Sequence, residues 1–267
     1  MIAEIRPADA PPGIAAIYAD IQAASGVPMI NLIWRHLASL PGVLEWAWTA
    51  VRPLVASEQM AAARQRIAHS AALPALTPRL RADWAAAGVD DAALPDLAKM
   101  MAAYVRGNLT NIVALTALRM RLDNPALPAA VPTPAPPPPR AAPLPPLPRI
   151  EALPPALAGT VRALAARHDG TGDGVIPSLY LALAPWPGLL AALPDWLGPL
   201  YEPEVLRRMR TRVVQSAEAE AQSLLPACGP TSSGVAAMRP ALDRFTRLVI
   251  PDLIPICLAL NGILPAA

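Results

Sequence analysis

A few polar side chains stand in apolar stretches of this sequence and are the first candidates for chemistry. Asn108 and Asn111 occur in YVRGNLTNIVAL, Asp252 occurs in VIPDLIPICLAL, and Ser178 and Tyr180 follow a proline. A buried polar group needs a hydrogen-bonding partner, which can be a bound water or a substrate carboxylate. An amide here could orient a water, and the aspartate could act as a pocket carboxylate. The structural alternatives are helix caps for Asn108 and Asp252. For Ser178 and Tyr180 they are a helix start and a packed ring.

The motifs of several common catalytic centres are missing. The sequence has no GxSxG elbow, no phosphate-binding loop, no GxGxxG and no HExxH. The histidines His36, His69 and His168 lack the spacing of zinc ligands. Cys228 and Cys257 are expected to be buried thiols in a reduced compartment. We therefore predict no metal and no other cofactor.

Composition limits the class of protein and its partners. The 267 residues include 35 prolines, 54% of them are apolar, and the net charge is +2. So small a charge excludes nucleic-acid binding through a large basic excess. The most apolar segment, Leu248–Leu264, is interrupted by Pro251, Asp252 and Pro255, which favours a core helix over a membrane span. The N-terminus lacks the apolar core of a signal peptide. We expect a cytoplasmic protein without a membrane partner.

The elements that position these residues are predicted to be helices. Alternating strand patterns are almost absent, and proline and glycine mark helix starts and stops, as at Pro12 and Gly26. Pro53 is expected to open a long helix through Ala72, and Gly107–Asn108 to separate two further helices. The predicted fold class is all-α.

The chain divides into two related halves around a proline-rich segment. Twelve of the 24 residues from Pro125 to Pro148 are proline, which predicts an extended spacer. A shift of 146 residues aligns Leu37–Ala71 with Leu183–Ala217, with 12 identities in 35 positions. We predict two tandem repeats of about 120–130 residues that form a pseudo-dimer. The expected divisions are an N-terminal repeat 1–124, a linker 125–150 and a C-terminal repeat 151–267.

Four segments together resemble the group I 2-haloacid dehalogenases, which accept both D and L substrates. They are YADIQAASGVPMINLIWRHLASLPGVLEWAW, AAAGVDDAALPDL, YVRGNLTNIVALTAL and IPSLYLALAPWPGLL. The resemblance covers nearly the whole chain. It implies a duplicated all-α fold and the hydrolysis of 2-halo carboxylic acids. In that reaction an aspartate between the halves activates a water, which attacks the α-carbon and expels halide with inversion, without a covalent ester.

The resemblance places the family's residues on particular positions of this chain. Its water-holding asparagine matches Asn108, and the serine before its catalytic aspartate matches Ser178. The aspartate itself falls on Leu179, and the following Trp186–Pro187 keeps the register. Leucine cannot accept a proton, and a general base typically contributes about 10²–10⁴-fold to such a reaction.

The resemblance assigns further positions to the substrate. A second acidic residue of the family falls near Ala61, and the threonine four residues before it falls on Ser57. Two aromatic pocket positions become Met29 and Leu32. The expected substrate-binding set consists of Met29, Leu32, Ser57 and Tyr180, which is next to Leu179.

Two hypotheses from different classes follow. The chain is a hydrolase whose base has moved to Glu58, Asp173 or Asp252, or it is a non-catalytic homologue that binds a small apolar acid between the repeats. A third reading is an interaction protein with a collapsed pocket. An acidic side chain within reach of Asn108 and Ser178 separates the first hypothesis from the others. The expected partner is a small carboxylic acid, and a monomer and a homodimer are equally compatible with the sequence.

Overall fold

The protein, seen in a computed structural model, is built from α-helices. The structure describes residues 2–171, 174–229 and 237–265, and within these ranges no strand is formed. The all-α prediction is therefore confirmed. The helices are α1 Pro12–Ser25, α2 Leu32–Leu37, α3 Val43–Val55, α4 Gln59–Ser70, α5 Arg81–Ala86, α6 Leu94–Asp123, α7 Pro155–Ala165, α8 Ser178–Ala182, α9 Pro187–Trp196, α10 Pro203–Leu224, α11 Arg239–Arg244 and α12 Ile250–Gly262.

Helix α1 begins and ends where its sequence predicts. Pro12 occupies its first turn, where a missing N–H costs no hydrogen bond. Gly26 ends it in the left-handed conformation, with φ at +69° and its N–H donated to the carbonyl of Gln22.

Two predicted helix boundaries are wrong. Pro53 lies inside α3, near its end, and α4 begins only at Gln59. The expected break at Gly107–Asn108 is absent, because α6 runs without interruption through both residues. A Cβ on Gly107 would lie 3.3 Å from the side-chain oxygen of Asn31. The glycine thus allows the chain at Asn31 to approach α6 closely, and the burial of the helix maintains its continuity.

The apolar core consists of two clusters, and α6 contributes to both. Its residues Leu109–Leu118 pack with segments between Tyr18 and Ala71 and with segments between Val213 and Ile254. Its earlier residues Leu94–Tyr104 pack with segments between Ile150 and Met209 and with the end of α12. Each cluster therefore contains side chains from before and after the proline-rich segment.

Residues 128–149 contain no helix and cross the surface of the helices. The N–H of Ala135 donates to the carbonyl of Ala56 at 2.8 Å, and the N–H of Glu58 donates to the carbonyl of Thr133 at 3.1 Å. These bonds attach the segment to the junction of α3 and α4.

Among the residues that the structure describes, one helical stretch is long and apolar enough to cross a membrane by length and composition alone. It is Arg239–Gly262, which includes α11, a π-helical turn at Phe245–Val249 and α12. In the fold, 72% of its most apolar window is buried. This degree of burial is typical of a core helix in a globular protein. Both cysteine thiols are buried and unpaired, as predicted.

Candidate functional site

Asn108 lies at the contact between α6 and α12, where its amide is bonded to protein groups. The side chain is only 4% exposed. Its Nδ2 donates to the Sγ of Cys257 at 3.4 Å, and its Oδ1 accepts from the Nδ2 of Asn31 at 3.5 Å. Burial raises the pKa of Cys257 to about 12, so the thiol is neutral. Asn108 does not cap a helix, since it lies in the middle of α6.

Asn111, one turn further along α6, has a structural partner. Its Oδ1 accepts a hydrogen bond from the indole Nε1 of Trp34 at 2.9 Å. Trp34 packs its ring edge-on against Trp48, with centroids 5.8 Å apart. The Asn111 amide thus satisfies a buried indole N–H that would otherwise lack a partner.

Ser178 and Leu179 form the start of α8, and Leu179 is part of the apolar core. The carbonyl of Ser178 accepts a hydrogen bond from the hydroxyl of Tyr104 at 3.0 Å, which connects α8 to α6. Leu179 is 1% exposed and belongs to the cluster that contains Trp84 and Leu97. In the part of the chain that the structure describes, no carboxylate hydrogen-bonds to Asn108.

Tyr180 is fully buried in a polar chain that reaches from α8 towards α10. Its hydroxyl lies 2.5 Å from His168 Nε2 and 3.2 Å from the hydroxyl of Tyr201. Burial lowers the pKa of His168 to about 4 and raises that of Tyr180 well above its usual value. The imidazole is therefore neutral, and its Nδ1 has no hydrogen-bond partner among the described residues.

Neither of the described alternative bases hydrogen-bonds to Asn108. Glu58 is exposed at the start of α4. Asp252 is completely buried, but its carboxylate accepts from Arg210 at 3.2 Å and from the N–H of Asp169 at 3.1 Å. Burial raises its pKa to about 7, whereas Arg210 and that N–H act in the opposite direction. Asp173 lies outside the described residues.

The remaining predicted positions are spread over the fold. Ser57 is buried at the junction of α3 and α4, and its Oγ donates to the carbonyl of Leu54 at 2.8 Å. Ala61 is exposed on α4, and Leu32 is half-buried against the first core cluster. Of the substrate-binding set, Met29 borders the cavity described below.

A cavity of about 720 Å³ lies beside α6, and its walls come from four parts of the chain, one of which is the loop between α1 and α2 with Gly26, Pro28 and Met29. α6 contributes one face, the proline-rich segment contributes residues 141–148, and the end of α8 with the following turn contributes another side. The apolar lining includes Met29, Met100, Ala103, Leu144, Leu181 and Trp186. A volume of this size is typical of small-molecule sites.

Two cations border this cavity. Lys99 Nζ lies 3.0 Å from a carboxylate oxygen of Asp96 and is exposed. Arg106 is half-buried, and its Nε donates to the carbonyl of Ser25 at 2.6 Å. Sequence reasoning missed this cavity because its walls are distant in sequence. The sequence feature that indicates this face of α6 is the spacing of Lys99, Ala103 and Arg106, which places them on one side of the helix.

Comparison with solved structures shows what fold these helices form. A D-2-haloacid dehalogenase in complex with L-LA superposes with a TM-score of 0.82 at 18% identity, over 98% of this chain and 95% of that chain. A mutant D-2-haloacid dehalogenase with D-2-CPA gives the same TM-score and identity, over 98% and 94%. The chain has the fold of a D-2-haloacid dehalogenase.

A further mutant enzyme of this kind superposes with a TM-score of 0.80, also at 18% identity. No protein-family model matches the chain, and no curated protein matches it. The expected dehalogenase-like fold is thus confirmed. At this identity the likeness concerns the fold, so the chemistry of this chain has to be argued from its own side chains.

Proposed function

We propose that this chain is a non-hydrolytic relative of the haloacid dehalogenases that binds a small apolar acid in the cavity beside α6. The proposal is carried by one observation, in which a packed side chain and an open cavity occur close together. Leu179 is packed in the apolar core where the resemblance places the base, while a cavity of about 720 Å³ with apolar walls remains nearby.

The surroundings of Asn108 argue against hydrolysis. A water-holding amide has to offer a hydrogen bond to the water, but this amide is bonded to Cys257 and Asn31. Without a carboxylate, an attacking water keeps its proton, and about 10²–10⁴-fold of rate is lost. The neutral Cys257 thiol is a poor substitute, because a thiol with a pKa of about 12 binds its own proton tightly.

The cavity has the properties of a site for an apolar acid. Its walls are mostly aliphatic, aromatic and proline side chains, which favour an apolar body. Arg106 supplies a cation at its edge, and no carboxylate partner for Arg106 is found among the described residues. Charge-assisted hydrogen bonds to a carboxylate are about twice as strong as neutral ones.

The predicted duplication also receives support from the core. We infer that the two halves form a pseudo-dimer, because each apolar cluster combines segments from both sides of the proline-rich linker. The cavity is then a cleft between the repeats, since it is lined by α6 from one half and by Leu181 and Trp186 from the other.

Calorimetric titration with hexanoate and with hexanol tests the proposed function. We expect hexanoate to bind, and hexanol, which lacks the charge, to bind about ten-fold more weakly or worse. Ala103→Phe fills the cavity from α6 and should abolish binding, whereas Ala85→Phe, at an exposed position of α5, should leave it unchanged. Equal binding of hexanoate by both variants would contradict the site.

Halide release from racemic 2-chloropropionate separates the two classes of function. We expect no release above the uncatalysed rate. Steady release by the native chain would show that another group acts as the base and would overturn the non-hydrolytic proposal.

A further inference from the structure

Two arginines and a threonine meet where α4 packs against α6. One guanidinium nitrogen of Arg64, on α4, donates to the Oγ1 of Thr110 at 3.3 Å. Arg106 lies four residues before Thr110 on α6, so the two side chains are neighbours on the same face of that helix. Arg64 and Arg106 therefore both lie along this face of α6, and the Nε of Arg106 donates to the carbonyl of Ser25 at 2.6 Å.

Neither arginine has a carboxylate partner among the described residues, although both are half-buried. Three other sheltered arginines do have one: Arg35 lies 2.7 Å from Glu4, Arg119 lies 2.6 Å from Glu218, and Arg210 contacts Asp252. The buried Arg121 instead donates to the carbonyl of Gly229. Burial, together with the positive charge of Arg106, lowers the pKa of Arg64 to about 10. Two sheltered like charges of this kind are stabilised when an anion binds between them.

At the equivalent positions in the second half of the chain, the anion is an aspartate side chain. The 146-residue shift that defines the predicted duplication aligns Arg64 with Arg210, and it aligns Arg106 with Asp252. In the second half this pair of positions is an arginine–aspartate ion pair at 3.2 Å. In the first half both positions are arginine. The geometry that brings a carboxylate to Arg210 therefore leaves an unfilled place for an anion beside Arg64.

The arginine pair is continuous with the apolar cavity, because Arg106 belongs to both. Gly26 also lines the cavity, and a Cβ there would lie 2.8 Å from Pro138 and 3.2 Å from the Nε of Arg106. The proline-rich segment thus closes over the same end of the cavity where Arg106 stands.

We infer that Arg64, Arg106 and Thr110 bind an oxyanion head group with two negative charges, such as a phosphate monoester or a malonate-type dicarboxylate. The apolar part of that ligand would occupy the cavity beside α6, and in this respect the inference rests on the proposed function. Guanidinium groups suit such a head group because each can donate two parallel hydrogen bonds.

Calorimetry with hexyl phosphate, hexylmalonate, hexanoate and inorganic phosphate tests the inference. On the native chain, hexyl phosphate and hexylmalonate should bind about ten-fold or more tightly than hexanoate. Arg64→Gln should weaken both doubly charged ligands by about ten-fold or more, and hexanoate by less than about three-fold, because Arg106 remains for a single carboxylate. Arg208→Gln removes the same charge from an exposed position of α10 and should change binding by less than about two-fold.

The outcomes distinguish the head group from the cavity. Inorganic phosphate should bind the native chain and Ala103→Phe alike, and bind neither Arg64→Gln nor Arg106→Gln. Hexanoate that binds as tightly as hexyl phosphate would overturn the doubly charged head group and leave the proposed function intact. Equal losses for hexanoate and hexyl phosphate in Arg64→Gln would assign Arg64 a merely structural role. Phosphate that binds while all hexyl ligands fail would instead overturn the proposed function and keep the anion site.

Discussion

At the scale of single residues, Leu179 and Asn108 give most of the evidence on whether this chain can hydrolyse a substrate. Leu179 contributes an apolar side chain to a packed cluster, and Asn108 satisfies its amide on α12 through Cys257. Both are better explained by packing between α6, α8 and α12 than by catalysis. The space near Asn108 is thus occupied by protein groups.

An aspartate at position 179 should destabilise the protein without producing hydrolysis. Leu179→Asp buries a carboxyl group among apolar side chains, which costs about 2–5 kcal/mol. Leu179→Met keeps the volume and polarity and should cost less than about 1.5 kcal/mol. Urea unfolding measures the difference between the two variants. Halide release by a folded Leu179→Asp would show instead that the native site lacks only its base.

His168 should make folding sensitive to acid. Its pKa is about 4 in the fold and 6.5 without burial, so between these values the unfolded chain binds the additional proton. The contribution of His168 is therefore complete above about pH 6.5 and is lost as the pH falls towards 4, by up to about 3 kcal/mol. Asp169 opposes this shift, and Arg167 and Arg210 reinforce it.

The comparison of His168→Gln with the native chain isolates this effect. The native chain should lose stability relative to the variant between about pH 6.5 and pH 4.5 in urea unfolding. His69→Gln, on the exposed side of α4, serves as the control and should follow the native chain. Asp252 acts with the opposite sign, since its pKa is raised to about 7 in the fold and its contribution falls as the pH rises from 3.8 to 7. Parallel curves for His168→Gln and the native chain would contradict the buried neutral imidazole.

At the scale of elements, α6 organises the molecule. One face carries Asn108 towards α12, and another carries Ala103 and Arg106 towards the cavity. A single helix of 30 residues therefore carries Asn108, which the resemblance matches to the water-holding asparagine, and the proposed binding site on different sides. The surroundings of Asn108 can therefore be filled with side chains while the cavity on the other side of α6 stays open.

Helix α9 should be sensitive to any side chain at Gly188. An added Cβ would lie 2.6 Å from the carbonyl oxygen of Ala87, at the end of α5, and backbone atoms cannot rotate away. Gly188→Ala should destabilise the protein by about 1–3 kcal/mol. Gly159→Ala, inside α7 with no atom near its Cβ, should be neutral or stabilise by up to about 1 kcal/mol. Thermal unfolding of the two variants checks the prediction, and equal stabilities would contradict the close approach of α5 and α9.

At the scale of the whole molecule, each of the two apolar clusters combines residues that precede the proline-rich segment with residues that follow it. Residues up to Ala71 share a cluster with Val213–Ile254, and Trp84–Tyr104 share the other with Ile150–Met209. Neither half can bury its apolar surface alone. The two core clusters therefore do not coincide with the two predicted repeats.

Fragments cut at the predicted linker should fold only together. We expect residues 1–124 and residues 151–267, expressed separately, to lack a cooperative thermal transition. Refolded as an equimolar mixture, they should form a one-to-one complex with native-like circular dichroism. A cooperative transition in either isolated fragment would show that one cluster is sufficient by itself.

Local physical chemistry is enough to predict much of this fold. Proline at helix starts, glycine at stops such as Gly26, and the absence of alternating strand patterns determine the all-α class. These features act within a few residues, so the sequence contains them in full. For the same reason the sequence predicts that Leu179 cannot be a base, since that depends on the side chain alone.

Tertiary structure decided what local patterns could not. The local sequence at Gly107 and Asn108 predicts a helix break. Packing against Asn31 and Cys257 keeps α6 continuous instead. Burial of the helix outweighs the weak local preference of these two residues against a helix interior. The cavity and the meeting of Arg64 with Arg106 depend on contacts between segments far apart in the chain. Which polar groups find a partner inside the fold, and which are left for a ligand, is therefore decided by packing across the whole molecule.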